Sequence, residues 1–229
     1  MASDDNHRRL GRDRRTGRVV TELALKQGDQ VRALVRTPSK LAISDPNLTF
    51  IPGDLLDATK VEETVRSTDA VLFLVGFSPS VRTPADVREA MTRNLLAATE
   101  KAGVKRVIRL ASFVGARDDR DKLGFVTKLG LRFYSKAVVQ DETAGADLIR
   151  RSDLEWTIVR NGLIRTSAPK GRYAAGPAGG GLNAIAAGDL AAFILDDLKS
   201  GTYPAADAAC SQLTPGALAA SGSCLRSRE

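Results

Sequence analysis

Histidine is nearly missing from this chain: His7 is the single one among 229 residues. That excludes Ser-His-Asp catalysis and histidine-based metal sites in any ordinary form. Cysteine is scarce too, with Cys210 and Cys224 both in the C-terminal stretch. Two such residues make neither a disulfide framework nor a metal cluster, so no metal is expected. Aromatic residues are only 5% of the chain, and no basic stripe interleaves with them to stack bases. Long apolar runs are absent; a stretch such as Ala70-Val71-Leu72-Phe73-Leu74-Val75 has the length of a strand and cannot cross a bilayer. No apolar segment of the secretory type follows the N-terminus. The expectation is a cytoplasmic protein with neither membrane nor nucleic acid as partner.

The formal net charge of +7 does not overturn that reading, because the excess is local. The first 20 residues alone hold six arginines against three acids, which reads as a solvated basic segment. Beyond it, 43% hydrophobic and 27% charged residues fit one soluble α/β domain with a sizeable core.

From residue 17 onward, helical and extended patterns alternate. Helices are expected over Arg18 to Gln27, Thr59 to Thr68, Pro84 to Ala102, Tyr134 to Arg151 and Ala187 to Leu198. Gly28 and Gly103 stop the first and third of these, and Gly145 weakens the fourth by about 1 kcal/mol of propensity. Strands are expected over Gln30 to Arg36, Leu48 to Ile51, Ala70 to Val75, Val104 to Ser112 and Trp156 to Arg160. Short connections then require right-handed crossovers and a parallel sheet covered on both faces. The pattern predicts a Rossmann-like, doubly wound α/β fold. Three regions result: an anomalous basic N-terminus over 1–15, the α/β domain over 16–203, and a low-complexity tail over 204–229 that is poorly ordered or weakly structured.

One stretch conflicts with this plan. Gly11-Arg12-Asp13-Arg14-Arg15-Thr16-Gly17 has the outer glycines of a phosphate-binding turn but arginine at its middle position. The preceding Asp4-Asp5-Asn6-His7-Arg8-Arg9 is no buried strand, so the first strand of the sheet is missing or scrambled. A reading-frame shift explains both defects. Residues 5–14 can be encoded as GAT AAC CAT CGC CGT CTT GGG CGC GAC CGG. Without its first base that DNA reads Ile-Thr-Ile-Ala-Val-Leu-Gly-Ala-Thr-Gly, an apolar strand with the middle glycine restored.

The order of segments resembles the NAD(P)H-binding, NmrA-like branch of the atypical short-chain dehydrogenase/reductases, including flavin- and biliverdin-reductase-like members. The matching blocks are Thr16-Gly17-Arg18-Val19-Val20, Val31 to Arg36, Gly53-Asp54-Leu55-Leu56-Asp57, Ala102 to Ile108, Ser152 to Arg160, and Gly188-Asp189-Leu190-Ala191. The resemblance covers residues 10 to 203. It implies a cofactor site in which Gly11 and Gly17 allow the tight turn, while Thr16 and the helix amides face phosphate. Arg36 would meet a 2′-phosphate, favouring NADP(H) over NAD(H); a solvated strand-end arginine is the other reading. Asp54 and Leu55 would flank adenine, unless Asp54 only caps its loop. Val75, Gly76 and Ser112 would line the nicotinamide side. Ser112 would also orient a substrate carbonyl, or else simply bond to backbone.

Typical members of the wider superfamily carry a Tyr-x-x-x-Lys pair, and this chain has none. Tyr134 and Lys136 come nearest, but a two-residue offset puts them on different helix faces. The resemblance therefore implies an NADP(H)-dependent oxidoreductase that passes hydride to a planar conjugated small molecule such as a flavin or quinone, with protons from water. The alternative it leaves open is a non-catalytic NAD(P)-binding sensor. In either case Arg14 obstructs the close approach of backbone to pyrophosphate, so this chain is expected to bind cofactor weakly.

Overall fold

The computed structural model describes residues 14–75, 87–112, 136–177, 184–212 and 224–227. The elements run α1 (Arg14–Lys26), β1 (Val31–Val35), β2 (Leu48–Pro52), α2 (Ala58–Val65), β3 (Ala70–Phe73), α3 (Val87–Ala102) and β4 (Arg106–Ser112). They continue through α4 (Lys136–Arg150), β5 (Glu155–Asn161), β6 (Ile164–Arg165), β7 (Arg172–Pro177), β8 (Ile185–Ala186), α5 (Ala187–Ser200), β9 (Ala206–Gln212) and β10 (Cys224–Ser227).

Alternation along the strands builds two core layers, one on each face of the sheet. In β4, Ile108 and Leu110 point to the layer made by α1 and α5, where Val20, Ala24, Leu190 and Ile194 are buried. Val107 and Ala111 point to the other, with Val61 and Val65 of α2, Leu95 of α3 and Ile149 of α4. The larger sheet has the order β10-β7-β9-β5-β4-β3, and β1 pairs with β2. The pairs β1–β2, β3–β4, β4–β5 and β5–β9 are parallel, whereas β7 runs antiparallel to both neighbours. The fold is the doubly wound α/β architecture that the sequence pattern predicts.

β1 and β3 share both core layers, since Ala33 and Leu72 lie in one and Leu34 and Val71 in the other. Yet among the described residues they do not pair. The position between them belongs, in a doubly wound sheet, to the strand that precedes α1. The segment before α1, whose sequence suits no buried strand, lies outside the described residues.

One expectation fails at the C-terminal end. Residues 206–212 are not a poorly ordered tail: β9 lies in the middle of the large sheet, parallel to β5 and antiparallel to β7. Its Asp207 holds two arginines, Arg160 of β5 through Nε at 3.0 Å and Arg150 of α4 through a fork at 3.0–3.1 Å. Arg160 is only 4% exposed, so this carboxylate answers a nearly buried charge. The segment of Cys224 also forms a strand, antiparallel to β7. No described helix is long and apolar enough to span a membrane.

Candidate cofactor site

In open α/β sheets a ligand lies beyond the carboxyl ends of the strands. Thr16 and Gly17 sit in the first turn of α1, where backbone amides lack intrahelical partners and the helix dipole favours an anion. Thr16 is 1% exposed, and its Oγ1 finds no hydrogen-bond partner among the described residues. A buried hydroxyl seldom stays unpaired in a folded protein, so an orphan at a helix N-terminus marks a place prepared for an acceptor such as phosphate. The arrangement fits the nucleotide cofactor. Arg14 is helical rather than left-handed, so a positive φ is not the obstacle at this position. Gly11 lies outside the described residues.

Arg36 directly follows β1, half-buried, with Nη1 3.8 Å from Oδ2 of Asp54 at the end of β2. The other oxygen of Asp54 accepts from the Leu56 amide at 2.9 Å, so this side chain both caps its loop and faces the arginine. The turn before it is tight because Gly53 lies against Lys60 and Leu34, where a Cβ would meet atoms at 2.8 and 2.9 Å. Leu55 is 3% exposed within the second core, and its carbonyl accepts from Asn94 Nδ2 at 2.9 Å. Whatever it lends a ligand comes through backbone.

Val75, beyond β3, is half-buried against the second core. Ser112 ends β4 in register with Asn161 of β5, whose Nδ2 donates to the Gly162 carbonyl at 2.8 Å. Lys136 is the first residue of α4. The side chains of Ser112 and Lys136, like Gly76 and Tyr134, lie outside the described residues, so the chemistry assigned to them stays an expectation. Among the described residues no cluster of histidine, cysteine or carboxylates could hold a metal.

Beneath these strand ends lies a charged network that sequence reasoning missed. Arg109, in the middle of β4 and 2% exposed, points into the second core. It approaches Glu142 of α4 at 3.5 Å and Thr92 of α3 at 3.3 Å, and its guanidinium lies 5.5 Å from the Phe73 ring centre. Glu142 also meets Arg88 at 3.2 Å. A strand pattern of Arg-Val-Ile-Arg-Leu suggests surface arginines; only a partner carboxylate in a distant helix explains burial of the second one. The one available signal was Gly145 inside α4, which leaves room for that guanidinium.

A family model described as NAD(P)H-binding matches residues 11–200. The chain belongs to the NAD(P)H-binding family. This member of the family is 31% identical over 147 residues to (4-alkanoyl-5-oxo-2,5-dihydrofuran-3-yl)methyl phosphate reductase of Streptomyces griseus subsp. griseus, covering 63% of this chain and 44% of that protein. It is 28% identical over 169 residues to an uncharacterised chloroplastic protein of Arabidopsis thaliana, covering 71% and 60% respectively. The chain thus spans less than two thirds of either relative. A short-chain dehydrogenase/reductase of Veillonella parvula, solved in complex with NADP, superposes with a TM-score of 0.72 at 18% identity over 94% of each chain. At that identity the likeness speaks for the fold. What the resemblance implied holds for the NAD(P)H-binding family and for the Rossmann-like fold.

Proposed function

We propose that this protein is an NADP(H)-dependent reductase that passes hydride to a planar conjugated small molecule, with flavins and quinones as the acceptor class. The orphaned, buried Thr16 hydroxyl in the first turn of α1 carries the reading, because an unpaired hydroxyl at a helix N-terminus suits a phosphate acceptor. The reduced nicotinamide supplies the hydride, which is the hard part of the chemistry. What the chain itself contributes is placement. Thr16 and the α1 amides bind phosphate, Arg36 meets the 2′-phosphate while Asp54 holds it in position, and Val75 and Ser112 border the reacting end.

Two neighbours lend support. The Streptomyces griseus relative is named as the reductase of a 5-oxo-2,5-dihydrofuran, a ring whose carbonyl is conjugated with a C=C bond. The Veillonella parvula structure was solved with NADP. The second reading, a non-catalytic NAD(P)-binding sensor, draws on the missing Tyr-x-x-x-Lys pair.

NADPH oxidation followed at 340 nm with menadione and with FMN tests the proposal. Acceptor-dependent turnover that falls with Arg36→Ser supports the reductase. Saturable NADPH binding without turnover on either acceptor favours the sensor. Because Arg14 stands where the backbone should approach pyrophosphate, Arg14→Gly should tighten NADPH binding about tenfold, a difference of about 1.4 kcal/mol. An unchanged affinity would show that the arginine is no obstacle.

A further inference from the structure

Among the described residues two large apolar side chains stand in solvent, Leu56 at 49% and Leu163 at 52% exposed. Both follow the carboxyl end of a strand, β2 and β5 respectively, where an open α/β sheet receives its ligands. Leu56 is beside Asp54, whose Oδ1 accepts from its amide. Leu163 is at the other side, two residues beyond Asn161, which is in register with Ser112. A lone exposed leucine needs no explanation, so the setting of Leu163 has to supply one.

That setting is fixed. The Leu163 carbonyl accepts from the Ile185 amide at 3.0 Å, and β6 then pairs with β8 through Ile164 with Ile185 and Arg165 with Ala186. Ile164 packs against the first core layer, in which Ile185 is fully buried. Alternation along an extended segment turns Leu163 and Arg165 the other way, with their Cα atoms about 7 Å apart. An exposed apolar side chain and an exposed cation thus project side by side from an anchored backbone.

Charge decides what such a pair can hold. From Asn161 to Gly188 the sequence carries Arg165, Lys170 and Arg172, and no aspartate or glutamate. None of the three bases forms an ion pair with a described residue. The acid that ends the stretch, Asp189, is 2% exposed and accepts from the backbone amides of Lys170 and Gly171, each at 2.9 Å. It closes the loop and leaves the arginine to solvent.

We propose that Leu163 and Arg165 form the acceptor-binding edge of the site, and that the acceptor is a planar conjugated ring bearing a phosphate or carboxylate. The ring lies against Leu163, and the acidic group pairs with Arg165. This rests on the reductase reading above and narrows its acceptor class to anions. Arginine suits either anion, because its planar fork donates two parallel hydrogen bonds. Lys170 and Arg172 add to the local positive potential, so affinity for the acceptor falls as salt is raised.

FMN and riboflavin share one ring system and differ by the phosphate. Quenching of their fluorescence by the full chain therefore reads the anion's contribution without any turnover. NADP⁺ is kept present so that the flavin phosphate does not take the α1 amides. The expected result is binding of FMN about tenfold tighter than riboflavin. Arg165→Gln should bring FMN to within about twofold of riboflavin, and Leu163→Asn should weaken both alike by about fivefold. Both variants alter exposed side chains, and far-UV circular dichroism checks the fold. Repeating the comparison with lumiflavin and its 3-carboxymethyl derivative shows whether carboxylate serves as well as phosphate or the edge is a phosphate site. FMN no tighter than riboflavin, or a preference that survives Arg165→Gln, would overturn the proposal. NADPH oxidation is a separate readout: turnover without the FMN preference keeps the reductase and sinks this edge, while an Arg165-dependent preference without turnover does the reverse.

Discussion

Replacing Gly145 by alanine sets two effects of opposite sign against each other, and the structure decides which wins. Gly145 is inside α4, where alanine is favoured over glycine by about 1 kcal/mol. A helix considered alone would gain that much. But a Cβ at this position would lie 2.6 Å from Arg109 Nη1, 3.0 Å from Thr92 Oγ1 and 3.1 Å from Arg109 Nη2. The tip of a long side chain usually swings away at little cost. This one cannot, because Arg109 is 2% exposed and held by Glu142, Thr92 and the Phe73 ring. Moving it strains a packed core, at about 1–3 kcal/mol, and loosens a buried ion pair whose outright loss costs about 3–5 kcal/mol. Taking overpacking plus partial loss of the pair against the propensity gain, Gly145→Ala should destabilise the protein by about 2 kcal/mol. Urea unfolding followed by circular dichroism reads this as a lower midpoint at unchanged slope, against wild type. A midpoint equal to or above wild type would refute the buried placement of Arg109.

Other outcomes follow from the same contacts. Asp207→Ala strands the nearly buried Arg160, while Arg150 keeps Asp147 at 2.7 Å, and should cost about 3 kcal/mol in urea unfolding, and a chain ending at Tyr203 should fail to fold because β9 is lost from mid-sheet; a stable truncated chain would contradict the strand assignment. Arg36→Ser should weaken NADPH about tenfold while leaving NADH within about twofold, measured by nicotinamide fluorescence. Burial, and then the nearby Asp189 charge, push the Cys210 thiol far above its ordinary range. In a Cys224→Ser background Cys210 should therefore ignore Ellman's reagent at pH 8 in the native state and react fully in guanidinium; rapid native labelling would argue against its burial.

Much of this fold is legible in the sequence because parallel strands buried on both faces read as continuous apolar runs. β3 is such a run, β1 shows as an alternation, and β1, β3, β4 and β5 each stand within two residues of where the sequence pattern places them. The strands that escaped notice are built from small residues. β9 buries Ala208 and Cys210 and turns Asp207 and Ala209 the other way, a true alternation that Ala, Ser and Asp disguise because their strand propensity is low. β7 hides in the same way, with Tyr173 and Ala175 inward beside Gly176. Thr16, Arg36 and Asp54 fall at a helix start and just beyond strand ends, as the segment pattern predicts, while the roles given to them come from the family resemblance. Arg109, Glu142 and Asp189 could not be assigned a role, because what they do depends on partners in other elements. Burial of a charge is a tertiary fact.

The measurement closest to the central claim is a fluorescence titration of the purified 229-residue chain with NADPH, and with NADH under identical conditions. The account predicts saturable binding of both, tighter for NADPH, as Thr16 takes phosphate and Arg36 the 2′-phosphate. A folded chain that binds neither, or that shows no preference between them, would contradict it.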